Sequence, residues 1–296
     1  MRKKVWYFDN IRLLLTIFVV MWHAANAYIG SGNWPVVEAQ TSIIVYGIKT
    51  ILDAITMPLF FYIAGFFALP SLKKRGAFVF MKAKIATILV PWILVLVFII
   101  PVIEMIGKIT RQTLDGGYFD VWIWQMRRMF DVYFGIISGG FYQRYMWFLS
   151  VLFTFFVFLG VAYRIRPHWF NTDTSYLLKN LFTKRSLLKL VATVVCVTSV
   201  PMLGVILSLM IFADSPEPEP FFSVFNLLQF QSSRFLIYLT YFLLGILTYR
   251  NKWIERGLLT HRTVWNIVFA ITGIAYFSLT NIMVSFMPAE VFVNFS

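Results

Sequence analysis

Cysteine, acidic residues and charge in general are scarce in this sequence, and each scarcity excludes something. Charged residues make up 13% of the 296 positions, with 13 Asp and Glu against 26 Lys and Arg. Soluble domains carry about 25% charged residues, so a water-exposed globular fold is excluded. The one cysteine, Cys196, leaves neither a disulfide framework nor a Cys cluster for zinc. Repeats and low-complexity tails are absent as well, so 1–296 reads as a single integral domain.

Apolar residues fill the chain instead. They account for 59% of it, 32 of them Phe, and the mean hydropathy is +0.76. Seven segments are long enough to cross a bilayer: 11–30, 43–69, 84–107, 145–163, 187–212, 226–249 and 263–287. The expected fold is therefore an all-α integral membrane protein, a polytopic helical bundle with about seven transmembrane helices. Nineteen of the 26 Lys and Arg fall in the N-terminal tip through Arg12, the 69–84 turn and the 164–189 and 250–262 loops. None lies between Gly30 and Ser42 or in Ala213–Pro220, although the long 108–144 connection holds five. By the positive-inside rule the N-terminus is cytoplasmic. The net charge of +13 then reflects topology and attraction to anionic head groups of the lipid bilayer, and calls for no nucleic acid.

The start of the chain superficially spells a cleavable signal: Met1-Arg2-Lys3-Lys4, an apolar run, then Ala25-Asn26-Ala27. Arg12 interrupts the apolar run, however, and the later spans alternate only if the first is retained. The first span also carries the most informative pair in the sequence, Arg12 and His23 in NIRLLLTIFVVMWHAANAYIG. Eleven helical steps are about three turns plus 20°, so both project from one face about 16 Å apart. Thr16 and Asn26 are expected near this stripe, with Leu14, Ile17, Phe18 and Met21 on other faces. Ionisable groups at membrane depth are costly and usually functional.

Two long connections flank the later spans. In 108–144 the stretch DVWIWQMRRMFDVYF predicts an interfacial amphipathic helix with Arg127 and Arg128 facing water, or a cap over a cleft. The basic 164–189 loop reads equally well as an anchor for anionic lipid or as part of ligand capture.

The residues also carry a resemblance. FDNIRLLLTIFVVMWHAA is similar to the first span of the acyltransferase type 3 family of integral membrane enzymes, whose signature is Arg, ten residues, His. MPLFFYIAGFF at 57–67, YMWFLSVL at 145–152 and YFLLGILTYRNKW at 241–253 resemble its later segments, in order. Where the family commonly has Arg-x-x-Arg before the proline of its third span, KAKIATILVP offers Lys84 and Thr87. Family members usually have about ten spans, so the chain looks short by about three and is read as a fragment or a short gene product.

The resemblance implies transfer of an acetyl or similar short acyl group, such as succinyl, from cytoplasmic acyl-CoA to a hydroxyl of a cell-envelope or lipid-linked carbohydrate, in the bacterial cytoplasmic membrane. Acyl-CoA is then a co-substrate, and no bound cofactor is expected. Arg12, with Lys84, would meet the donor's phosphates, and a neutral His23 would be the general base. A serine route has no support: the Gly135–Gly140 segment has Ile where the first glycine of a nucleophile elbow should stand.

Each candidate also has a plainer reading. Arg12 could be a snorkelling anchor paired with Asp9, and His23 a packing histidine bonded to a carbonyl. Asp53 lies at a depth similar to His23 and could fix its tautomer, but Lys49 one turn away offers an equally good salt bridge. Glu104, Arg144 and Trp147 stand near the outer boundary, where they suit an acceptor sugar, yet Arg144, Tyr145 and Trp147 also make an ordinary interfacial belt. His168 and His261 fall in cytoplasmic loops and receive no chemistry. Two other functions stay open: a solute transporter lined by Lys49, Asp53 and Glu104, against which the lack of matching broken spans argues, and an inactive truncated homologue.

Overall fold

The computed structural model describes residues 6–29, 34–36, 38, 40–134, 143–171, 221–224 and 228–255. The expected spans 187–212 and 263–287, Cys196, His261, Gly135–Gly140 and most of the 164–189 loop lie outside the described residues. Three helical stretches, Tyr7–Tyr28, Ile44–Thr110 and Trp147–Ile165, are long and apolar enough to cross a membrane.

Helix α1 (Trp6–Ala25) has neither Gly nor Pro to interrupt it and ends in a 3-10 turn at Asn26–Tyr28. Helix α2 (Ile43–Lys84) starts at Ser42, whose hydroxyl accepts a hydrogen bond from the Val45 amide. Its 42 residues would extend about 63 Å if straight, twice the roughly 30 Å of hydrocarbon in a bilayer. Gly76 resolves the mismatch with φ 75° and ψ 163°, a left-handed conformation that suits a residue without Cβ. The turn expected somewhere in 69–84 is thus a break at one glycine.

Beyond Gly76 the chain continues through a π-helical turn at Ile85–Leu89, α3 (Val90–Leu94), a second π turn at Val95–Ile99, and α4 (Ile100–Thr110). Each π turn comes just before a proline, Pro91 or Pro101, at the start of the next helix. Proline has no N–H for the carbonyl four residues back and crowds it, so the backbone widens there. For Pro101 that carbonyl belongs to Val97, and the Trp122 indole N–H takes it up at 2.9 Å. Trp122 lies on α5 (Tyr118–Tyr133), the predicted amphipathic helix, which buries Val121, Gln125 and Val132 and leaves Arg127 and Arg128 in the open.

Helix α6 (Trp147–Ile165) leads into the short α7 (Pro167–Asn171). A small antiparallel hairpin follows, β1 (Phe221–Val224) with β2 (Leu228–Gln231), Phe222 opposite Phe230, and then α8 (Ser232–Arg250). The helix expected over 226–249 therefore starts at Ser232 and not at 226. Leu-Gln-Phe-Gln alternates apolar and polar residues with a period of two, which fits a strand and not a helix face.

The main core joins α2, α6 and α8 through Phe61, Leu69, Leu72, Phe80, Val151, Phe155, Phe156, Tyr238 and Phe242. Partners advance together along α2 and α8, from Asp53 with Arg234, through Phe61 with Tyr238, to Phe66 with Tyr249, so the two helices run parallel. Along the limb after Gly76 they run in opposite order, Met81 meeting Gly160 and Lys84 meeting Phe156, so it is antiparallel to α6. These directions are the ones that alternating spans require.

Parallel packing of α2 and α8 depends on two glycines. A Cβ on Gly65 would overlap the Phe242 carbonyl, and one on Gly245 would overlap the Tyr62 carbonyl. Small residues that let backbones touch are the usual device where hydrophobicity supplies no drive between helices. Gly245→Leu should therefore lose at least about 2 kcal/mol of stability. Thermal unfolding in detergent and the monodisperse yield are the checks, and a native midpoint would contradict this packing.

Candidate active site

The inward face of α1 repeats every three or four residues: Phe8, Leu15 and Asn26 are buried, with Ile11, Phe18, Val19 and Trp22 partly so. Phe8, Ile11, Leu15 and Phe18 pack on α2 at Leu59, Phe60, Ile63, Phe66 and Phe67. At about 100° per residue, Arg12 and His23 lie on one flank of this face, some 50–70° from its centre. Thr16 lies about 20° further round than His23 and is exposed, its hydroxyl donating to the Arg12 carbonyl at 2.9 Å. Phe18, on a face apart from Arg12 and His23 as expected, packs against α2. Asn26 is buried and donates to the Trp22 carbonyl at 2.7 Å.

At one end of α1 basic groups gather. Arg12 lies with its guanidinium 4.4 Å from the centre of the Phe67 ring and 3.5 Å from Asp9. Both side chains of that ion pair are more than 40% exposed, so the pair itself contributes little. Arg12 and Arg75 are close enough for their charges to act on the Lys84 ammonium, which sits over the Phe156 ring at 4.1 Å. Arg250 likewise acts on Lys73. Three chain segments far apart in sequence thus bring cations to one end of the bundle, a setting for an anion.

The other end is aromatic. His23 stacks on Trp34 at 5.6 Å between ring centres and 21° between planes. Tyr145 meets His23 edge-on at 5.1 Å and Trp22 does so at 5.0 Å. Trp34 and Tyr145 are also 4.6 Å apart. Lys49 lies over the Trp22 ring at 5.2 Å. Nδ1 of His23 is buried and finds no hydrogen-bond partner among the described residues.

Asp53 is placed differently from the sequence-based pairing with His23 or Lys49. Its carboxylate takes the guanidinium of Arg234 at 2.5 Å, with the side chains only 18% and 25% exposed. A permanently charged guanidinium with several donors satisfies a half-buried carboxylate better than an imidazole does. Among the other expected residues, Trp147 stacks on Tyr238 at 5.3 Å within the core. Glu104 is half-buried on α4, one turn before Gly107, where Pro35 of the Trp34 loop rests. Arg144 belongs to a 3-10 turn, Arg144–Met146, and its side chain lies outside the described residues. A cavity of about 130 Å³ between Ile88, Leu89, Trp92 and α6 holds no titratable group, and its Ser150 and Thr154 hydroxyls are bonded to their own helix.

A family model described as an acyltransferase domain matches residues 5–295. The chain belongs to the acyltransferase type 3 family. No curated protein and no solved structure matches it. Membership makes the protein a membrane acyltransferase. Arg12 and His23 fall on the helix whose two ends carry the basic and aromatic clusters.

For this type 3 acyltransferase, sequence reasoning passed over Trp34, Arg75 and Arg234 as site residues. Arg234 had a readable signal, since an arginine inside an expected span needs a partner as much as Asp53 does. Trp34 had none beyond being aromatic in a loop without Lys or Arg.

The Asp53–Arg234 pair ties α2 to α8, so Asp53→Asn should lower stability by about 2 kcal/mol while turnover per folded molecule stays near native. Asp53→Leu combined with Arg234→Met should recover most of the loss. Thermal unfolding measured beside activity decides it, and loss of turnover at native stability would return Asp53 to the chemistry.

Proposed function

We propose that this acyltransferase moves an acetyl or similar short acyl group, such as succinyl, from cytoplasmic acyl-CoA to a hydroxyl of a cell-envelope or lipid-linked carbohydrate, with His23 as general base. The observation that carries the proposal is the arrangement on α1, with Arg12 in a basic cluster at one end and, at the other, a half-buried His23 whose Nδ1 has no hydrogen-bond partner among the described residues.

The basic end suits a ligand rich in phosphate. Guanidinium groups of Arg12 and Arg75 and the ammonium of Lys84 are the donors that anionic oxygens pair with. Lys84, standing where the family's arginine pair is usual, supplies a point charge in place of a planar fork. A donor held there would extend its pantetheine arm along the α1–α2 side, directing the thioester toward His23. The carbohydrate acceptor would arrive at the aromatic end, where Trp34, Tyr145 and, one turn before Gly107, Glu104 are at hand.

In the transfer step a neutral His23 takes the proton of the acceptor hydroxyl as its oxygen attacks the thioester carbonyl. That attack forms the ester C–O bond, and collapse of the adduct restores the carbonyl and breaks the C–S bond. The departing sulfur of coenzyme A takes up the proton, which returns His23 to its neutral form. Asp53 has no part in this sequence, because its carboxylate is held by Arg234. The same basic end fits the cytoplasmic side of a bacterial membrane under the positive-inside rule.

His23→Ala in nanodiscs should lower acyl-CoA-dependent glycan acylation by at least about 10³-fold with donor binding retained. Arg12→Ala should weaken donor binding by about tenfold. Coenzyme A release and equilibrium binding of acetyl- and succinyl-CoA are the measurements, and an active His23→Ala protein would overturn the base assignment.

A further inference from the structure

We propose that Trp34 is the positioning residue of His23, its indole fixing the plane of the imidazole and shielding it from water, and that Arg111 acts through Trp34 by clamping its loop. This rests on the reading of His23 as the base.

A histidine that moves protons is ordinarily oriented by a hydrogen bond on its second nitrogen. Here Nδ1 of His23 is buried and finds no such partner among the described residues, and the carboxylate of Asp53, the partner expected from the sequence, is held by Arg234. The torsion that turns a histidine ring is broad, so something else has to set the plane. Packing does so: Trp34 lies nearly parallel to the imidazole on one face, while Tyr145 and Trp22 abut it edge-on.

Trp34 stands in a loop and not in a helix, so its own backbone needs holding. Arg111, which follows the last turn of α4, donates from Nη2 to the Trp34 carbonyl at 2.8 Å. Pro35 rests on Gly107 of the same helix, where a Cβ would stand only 3.5 Å from the Pro35 Cα. The loop is thus pinned to α4 at the Trp34 carbonyl and at the proline that follows it. An indole stacked on the base also keeps water from that face. Water activated by His23 would give up its proton, attack the thioester carbonyl and release a carboxylic acid and free coenzyme A, wasting the donor.

The test uses the full chain in nanodiscs with His168→Gln and His261→Gln, so that His23 is the one histidine left, and has two readouts. The first is the rate at which diethyl pyrocarbonate modifies His23, followed by mass spectrometry. Trp34→Ala should raise it about tenfold, Trp34→Phe by no more than about twofold, and Arg111→Gln by an intermediate factor. The second is acetyl-CoA cleavage with and without glycan acceptor. Trp34→Ala should lower the kcat of glycan transfer and raise acceptor-independent hydrolysis, with Trp34→Phe recovering both. Modification of His23 at the native rate in Trp34→Ala, or in Trp34→Phe and Arg111→Gln should the alanine protein fail to fold, overturns the proposal. An unaltered protein that cleaves no acyl-CoA overturns the acyltransfer chemistry proposed above, while the modification rates still decide the role of Trp34.

Discussion

In hydrocarbon no water is available to a backbone amide or carbonyl, so each must be bonded within the protein, and the rest of this structure follows from how that demand is met. Continuous helix meets it almost everywhere. Where the chain must depart from helix, it does so at residues that limit the damage. Gly76 takes the left-handed conformation at the foot of the second span, among lysines and an arginine that belong at a water boundary. Pro101 frees the Val97 carbonyl inside the third span, and an indole N–H from α5 answers it. That single bond explains why the amphipathic helix lies where it does: its position is fixed by a carbonyl the proline left over as well as by the apolar residues it buries.

The same demand applies to side chains and separates structural from chemical ionisable groups. Asp53 and Arg234 face each other between α2 and α8, and each relieves the other's cost of burial. Lys84 and Arg12 lie over aromatic rings, with their charges toward the basic end. His23 is buried to a similar degree, and its Nδ1 receives no hydrogen bond among the described residues, only aromatic faces and edges. The chemistry proposed for it draws on that setting together with the basic cluster at the other end of the same helix.

Much of this was legible in the sequence, and the reason is that spans are governed by length and composition. The existence of α1, the return after a turn in 69–84, the interfacial helix and the relative directions of α2, α6 and α8 all follow from apolar runs and the placement of Lys and Arg. So does the Arg12–His23 flank, because helical geometry is regular enough to carry phase over eleven residues. The exposure of Thr16 beside Arg12 shows the limit of that regularity: phase relates residues to one another, but which side faces the bundle depends on the neighbour, here Ile63 and Phe67 on α2. The hairpin at 221–231 was hidden because its apolar residues merged with those of the following helix. Partners across the fold were hidden for a different reason. Asp53 has Lys49 one turn away in sequence and Arg234 181 positions on, and local spacing favours the wrong one.

The two ends of α1 differ in how they can be altered without losing the fold. The basic end is built from long, flexible side chains at a water boundary, and any one of them can be shortened with its neighbours still supplying positive charge. The aromatic end is built from rings in mutual contact, so a change to one alters the surroundings of the rest. A donor whose recognised part is phosphate needs only charge at roughly the right place, whereas proton transfer needs an imidazole held within tenths of an ångström. The tolerance of each end therefore matches the demand of the step proposed for it, which is the physical sense in which one helix would serve both substrates of the proposed acyl transfer.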